Sequence, residues 1–153
     1  MVAAERLTVL AEGKDPMLIM RMKSGFAVIS NHQFLRGYCM LLHYPEVASL
    51  NDLSQEARAS FFHDMGLLGD AVQRTTECKR INYSIYGNRD PFLHAHVFPR
   101  YDDEPEDYRQ LPPLSYPEET RVHWLTHFNI EEHGELQDNI RLQLTELLGH
   151  VPD

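Results

Sequence analysis

The run Asn88-Arg-Asp-Pro-Phe-Leu-His-Ala-His-Val-Phe-Pro-Arg-Tyr101 contains two histidines, His94 and His96, which alternate with apolar residues. This period of two predicts a β-strand with one buried face. Because successive strand side chains point to opposite faces, the two imidazoles share a face, with their Cβ atoms roughly 6–7 Å apart. Histidine changes its charge most easily near neutral pH, so the pair is a candidate acid, base or nucleophile site.

A half-exposed strand that carries two polar residues without a function is the simpler interpretation of this pattern. However, Gly87 and Asn88 begin the turn that leads into the strand, and Pro99 and Arg100 end it. These neighbours favour a functional site over an ordinary surface strand.

The same run resembles the catalytic strand of the histidine triad (HIT) proteins, whose pattern is His-φ-His-φ-His-φ-φ, often followed by Pro-Arg. His94 matches the second histidine of that pattern and His96 the third, whereas Phe92 stands in place of the first. Three upstream segments are also similar to family segments, namely an early strand at 25–30, its partner at 37–42 and the lead into a long helix at 49–54. The similarity covers residues about 17 to 101.

The length and composition indicate one domain over residues 1–153. The resemblance implies that its core spans about residues 17–101. Hydrophobic residues make up 42% of the chain, and no apolar run approaches the roughly 18–20 residues of a membrane helix. The N-terminus lacks a secretory signal pattern, and Cys39 and Cys78 have no framework spacing, so we expect free thiols in the cytoplasm. The net charge of −9 argues against a nucleic-acid polymer as partner but allows a small anionic ligand.

Apolar periodicity predicts an α+β fold, an antiparallel meander of about five strands with one long helix and a C-terminal helix. Glu5–Asp15 is compatible with a short helix that ends at Gly13. The predicted strands are Met17–Lys23, Gly25–Ser30 after a tight turn at Ser24-Gly25, Tyr38–His43, Ile81–Tyr86 and the histidine strand. The predicted helices run from the N-cap Ser54 to Thr76 and from Glu131 to Val151.

Residues 102–153 change character. Asp102–Asp107 is strongly acidic, and Pro112, Pro113 and Pro117 interrupt regular structure, so an exposed loop is predicted before the C-terminal helix. A metal site in the acidic run is the less favoured alternative. The role of this region stays open.

The resemblance implies a chemistry for the two histidines. In HIT enzymes the middle histidine attacks the α-phosphate of a nucleotide, which assigns this role to His94. The other ring nitrogen must then be held as N–H, and the resemblance implies that the backbone carbonyl of residue 92 accepts it. His96 would donate a hydrogen bond to the phosphate oxygens or to the leaving group.

The resemblance also implies nucleotide contacts. Asn88 occupies the position of a phosphate-contacting amide, and either Ser30 or Asn31 corresponds to the ribose-contacting residue. Four arginines lie in or beside the matching segments, and at least two of them are expected to be solvated: Arg36, Arg80, Arg89 and Arg100. Of these, Arg89 and Arg100 are the candidates for nucleotide binding. Phe26 and Ile29 are candidates for contact with the base, although a role in the core suits them equally. At Tyr38 many relatives have a further histidine.

These observations predict a nucleotide hydrolase or nucleotidyl transferase that acts on a phosphoanhydride or phosphoramidate through a nucleotidyl-histidine intermediate, without a cofactor. A protein that binds nucleotides but has lost catalysis is one alternative. The other is a metal site built on His94 and His96 and completed by His123, His127 or an acidic residue. The resemblance implies a homodimer, since HIT proteins pair two meanders across a helix and an edge strand. An apolar helical stripe could serve either the core or such an interface: Ala57, Phe61, Met65, Leu68 and Val72.

Overall fold

Five antiparallel strands form one sheet in a computed structural model that describes residues 3–149. The strands are β1 (Leu18–Arg21), β2 (Gly25–Ile29), β3 (Cys39–His43), β4 (Arg80–Ile85) and β5 (His94–Arg100). They lie in the order β1-β2-β3-β5-β4. The first three strands form a meander, after which the chain crosses to the far edge for β4 and returns so that β5 inserts between β3 and β4.

The helices are α1 (Ala3–Ala11), α2 (Gln55–Thr76), α3 (Glu106–Arg109), α4 (Glu118–Arg121) and α5 (Ile130–Leu148), with 3-10 helices at Leu50–Asp52, Pro113–Ser115 and Trp124–Thr126. The α+β class, the long helix and the C-terminal helix are therefore confirmed. Gly149 ends α5 in a left-handed conformation, and Val151, where the sequence placed the end of that helix, lies outside the described residues. Within residues 3–149, none of the helices is long and apolar enough to cross a membrane.

The long helix begins where the sequence predicts. Ser54 is its N-cap, and the Ser54 hydroxyl accepts a hydrogen bond from the backbone N–H of Ala57 at 3.1 Å. Phe61, Leu68 and Val72 are fully buried in the core, whereas Ala57 and Met65 of the same stripe are half-buried. α5 lies beside α2 and adds the buried residues Leu136, Ile140 and Leu144 to the same core.

The two faces of the sheet are covered differently. Ala95 and Val97 of β5 point to the face that packs on α2 and α5. The opposite face carries His94, His96 and Phe98, because their positions alternate with those two. On that face α1 covers one end through a second buried cluster, made of Leu7, Leu10, Phe26, Val28, Leu42 and Phe92.

The edge strand β1 is shielded by α5. Arg141 donates hydrogen bonds to the carbonyls of Leu18 and Ile19, and the Gln137 amide donates to the carbonyls of Pro16 and Leu18. These side chains occupy acceptors that an edge strand would otherwise present to another chain. The other edge of the sheet is β4.

The turn between β1 and β2 is formed by Lys23 and Ser24, one residue earlier than the sequence suggests. Ser24 is buried, and both its backbone N–H and its hydroxyl donate to the Asp64 carboxylate of α2, at 2.8 and 2.6 Å. Gly25 follows because a Cβ there would lie 2.0 Å from the carbonyl oxygen of Leu42. The turn is thus fixed by contacts distant in sequence.

Candidate active site on the histidine strand

His94 and His96 lie on one face of β5, as the alternation predicts, with their ring centroids 5.0 Å apart. β3 provides the neighbouring residues Leu42 and Met40, which pair with His94 and His96, respectively. On the other side, Ser84 of β4 pairs with His96. The two imidazoles therefore lie on an inner strand of the sheet, which is paired with β3 on one side and with β4 on the other.

His94 has the geometry of a nucleophile. Its Nδ1 lies 2.8 Å from the carbonyl oxygen of Phe92, and a carbonyl can only accept, so Nδ1 carries the proton. The Nε2 atom then has a free lone pair, with no partner among residues 3–149, and is not sealed in the interior. The ring of Phe92 stacks on His94 at 4.5 Å and closes that side of the imidazole with apolar surface.

Tyr38 holds His96 from the far side. The Tyr38 hydroxyl lies 2.6 Å from His96 Nδ1, and the backbone carbonyl of Tyr38 accepts a hydrogen bond from the N–H of Ser30 at 2.9 Å. Burial raises the pKa of Tyr38, so its hydroxyl is neutral and available as a donor. When Tyr38 donates to Nδ1, the proton of a neutral His96 must sit on Nε2, which points away from Tyr38.

Burial and the neighbouring His94 lower the pKa of His96 to about 4. At neutral pH the His96 ring is therefore an uncharged hydrogen-bond donor. The sequence offered no means of finding the Tyr38 contact, since the two residues are 58 positions apart and the resemblance only marks Tyr38 as a departure.

The lowered pKa of His96 predicts a pH-dependent stability. The unfolded chain binds a proton on this histidine near pH 6.5 and the folded protein only near pH 4, so stability is lost as the pH falls between these values. From pH 7 to pH 5 we expect His96 to account for a loss of about 2 kcal/mol in the free energy of unfolding. Urea unfolding of the wild type and His96→Gln at both pH values measures this, because His32 and His133 stay in both proteins. Equal losses in the two proteins would show that His96 is not the group responsible.

Arg100 shares the histidine face, but its donors are all used inside the protein. Its guanidinium pairs with the Glu104 carboxylate at 3.0 Å and donates to Asn82 and to the carbonyls of Leu111 and Tyr108. The residue is 7% exposed. The nucleotide contact that the resemblance implies for Arg100 is therefore corrected to an organising role, since no N–H group remains for a phosphate.

The acidic run is not a wholly exposed loop. Glu104 is buried, and besides Arg100 it accepts hydrogen bonds from the Tyr116 hydroxyl and from the backbone N–H of Tyr101, at 2.5 and 2.6 Å. The short helices α3 and α4 follow, neither of which the sequence predicted. Residues 102–116 are thereby fastened to the end of β5.

The other predicted contact residues fall into two groups. Asn88 and Arg89 are exposed in the turn before β5. Ser30 is buried and bonded to Tyr38, whereas Asn31 is half-buried with its side-chain amide unpartnered among residues 3–149. Phe26 and Ile29 are fully buried in separate clusters on opposite faces of the sheet, so both belong to the core. Neither side chain is exposed to contact a nucleobase.

The helical pair of His123 and His127, which would support the metal alternative, is not formed. His123 and His127 stand at the two ends of a 3-10 helix, and the ring of His127 contacts His32, with centroids 5.5 Å apart. Within residues 3–149 no three histidine, cysteine, aspartate or glutamate side chains are grouped to hold a metal ion.

No protein-family model and no curated protein sequence matches this chain. Solved structures do match. A histidine triad protein from Marinobacter aquaeolei superimposes with a TM-score of 0.73 at 16% identity, over 95% of this chain and 96% of that one. For a histidine triad protein from Sinorhizobium meliloti the TM-score is 0.71 at 18% identity, over 91% of this chain and 93% of that one. For a zinc-bound histidine triad family protein from Mycobacterium smegmatis the TM-score is 0.66 at 17% identity, over 95% of this chain and 97% of that one.

These matches extend over nearly the whole length of each compared structure. At such identities they establish the architecture. The chain has the fold of the histidine triad proteins.

Proposed function

We propose that this protein is a nucleotide hydrolase or nucleotidyl transferase that cleaves at the α-phosphate of a nucleoside polyphosphate or phosphoramidate. The observation that carries the proposal is the hydrogen bond from His94 Nδ1 to the carbonyl of Phe92. It fixes the tautomer in which Nε2 has its lone pair free, and it persists without a histidine at position 92 because the acceptor belongs to the backbone.

The reaction proceeds in two displacements. The Nε2 lone pair of His94 bonds to the α-phosphorus, the bond from phosphorus to the leaving group breaks, and its electron pair departs with that group. A phosphate departs as an anion, whereas an amine takes up a proton from water as it departs. Water then attacks phosphorus, the phosphorus–nitrogen bond breaks with its electron pair returning to Nε2, and the proton of water passes to solvent. The products are a nucleoside monophosphate and the leaving group.

His96 stabilises the charge that develops at the phosphate. Its Nε2–H group is held in place by the Tyr38 hydroxyl, so it can donate to an oxygen without reorganising during the reaction. Asn88 is assigned to a non-bridging phosphate oxygen, Arg89 to the phosphates from the exposed turn, and Asn31, ahead of Ser30, to the ribose.

A binding protein without turnover remains the competing proposal, because Phe92 replaces the first histidine. The stacking of Phe92 on His94 favours an active site, since it excludes water from one side of the ring and keeps His94 in position. No cofactor is needed by the histidine step. We also propose a cytoplasmic location, in keeping with the free thiols of Cys39 and Cys78, and the homodimer stays a prediction.

The test is an assay of the purified protein on dinucleoside polyphosphates and nucleoside phosphoramidates, with products separated by liquid chromatography. We expect release of nucleoside monophosphate, and we expect the activity to survive chelation and dialysis. If chelation removes a stoichiometric metal ion and the activity is lost with it, the metal alternative is favoured. The zinc-bound histidine triad protein from Mycobacterium smegmatis is a precedent for such a site. Binding of adenine nucleotides without release of monophosphate would favour the alternative, a nucleotide-binding protein that has lost catalysis.

A further inference from the structure

A groove of about 1050 Å³ runs along the histidine face of β4, between this strand and residues 109–113. Its floor includes Asn82 and Ser84, and its far wall is provided by Leu111 and Pro112. The volume matches the upper range of small-molecule sites in proteins. The wall exists because Arg100 and Glu104 fasten residues 102–116 to the sheet.

The groove begins at the histidines. Ser84 pairs directly with His96 across β4 and β5, and the ring of Tyr86, which also lines the groove, lies 5.8 Å from that of His96. Phe98, stacked below His96, forms part of the same lining. The Ser84 hydroxyl is buried without a hydrogen-bond partner among residues 3–149. A molecule bound at His96 can therefore continue into the groove.

The far end of the groove is cationic, in a chain whose net charge is −9. Lys79, Arg80 and Arg109 line it, whereas Asp102 is its acidic residue and is paired with Lys79 at 2.8 Å. Arg80 has an exposed side chain with no partner within residues 3–149. It pairs across the strands with Arg100, whose charge Glu104 balances.

We propose that this groove binds an anionic, phosphate-bearing leaving group, so that the preferred substrate carries negative charge on both sides of the bond that breaks. Arg80 is the specificity residue. It lies four positions along β4 from Ser84, roughly 13 Å of strand, so a leaving group must be extended to reach it. A nucleotide or another phosphorylated group has the required length and charge, and a small amine has neither. The leaving-group assignment rests on the proposed function.

The state of His96 agrees with this assignment. A phosphate leaves as a stable anion and needs no proton, whereas an amine must gain one as it departs. Burial lowers the pKa of His96 to about 4, so at neutral pH the free protein presents a neutral hydrogen-bond donor there instead of a charged acid.

Binding can be measured without turnover. Calorimetric titration with inorganic tripolyphosphate compares the wild type with Arg80→Gln and with Arg74→Gln, a control that removes the same charge from an exposed site on α2. We expect Arg80→Gln to weaken binding about tenfold and Arg74→Gln to leave it unchanged. No binding to the wild type, or equal binding by Arg80→Gln, would overturn the groove as an anion site.

Kinetics then test the leaving-group assignment. A dinucleoside triphosphate and a phosphoramidate of the same nucleoside are compared, and Arg80→Gln should lower kcat/KM about tenfold for the first while leaving the second within twofold. Equal losses on both substrates would contradict the assignment. If the wild type turns over neither substrate, the proposed function fails and the leaving-group assignment fails with it, while the titration still decides whether the groove binds anions.

Discussion

Replacing His94 with alanine is expected to lower turnover at least about a hundredfold while the protein stays folded. The backbone carbonyl of Phe92 accepts the Nδ1–H of His94, which leaves the lone pair of Nε2 free to attack. Among residues 3–149, no other side chain on this face of the sheet has a nucleophilic nitrogen oriented in this way. Alanine removes the nucleophile but keeps the strand, because the hydrogen bonds that pair β5 with β3 and β4 belong to the backbone.

The matched control is His63→Ala, which deletes an exposed histidine on α2 and should leave kcat unchanged. Rapid quenching of the wild type with substrate should trap a nucleotidyl group on His94, identified by mass spectrometry of peptides under non-acidic conditions. Near-normal turnover by His94→Ala would refute the covalent mechanism, even if the fold and nucleotide binding persist.

Replacing Glu104 with alanine is expected to cost about 3–5 kcal/mol in the free energy of unfolding, because it leaves the buried charge of Arg100 without its partner. Burial opposes the ionisation of Glu104, but hydrogen bonds from Arg100, Tyr116 and the N–H of Tyr101 outweigh it and lower its pKa. The stability from this carboxylate is therefore present above its unfolded pKa and is lost as the pH falls through the folded value.

Urea unfolding at neutral pH measures the effect, with Asp102→Ala as the control. Asp102 also forms an ion pair, to Lys79, but both side chains are exposed, so the unfolding midpoint should barely move. Glu104→Gln should fall between the two, since it keeps the shape and some of the hydrogen bonds. A Glu104→Ala protein as stable as the wild type would show that the ion pair does not fasten residues 102–116.

The sequence alone determined the strand with the paired histidines and the face they share, and its resemblance to the histidine triad proteins implied the acceptor for His94. All three depend on residues within two positions of one another. The alternation of a strand places His94 and His96 together, and the carbonyl of Phe92 is close to His94 because both belong to one short segment. The helix from Ser54 was predictable for the same reason, since its cap bond spans three residues.

Tertiary structure alone decided which residues surround that strand. The sequence offers Arg100 as a phosphate ligand, but only the fold brings it against Asn82 and the carbonyl of Leu111, which use up its donors. The Tyr38 contact with His96 and the groove beside β4 likewise join segments that are distant along the chain. Local periodicity fixes the direction of a side chain, whereas its partner depends on how all segments pack to bury apolar surface and satisfy polar groups, which no single segment encodes.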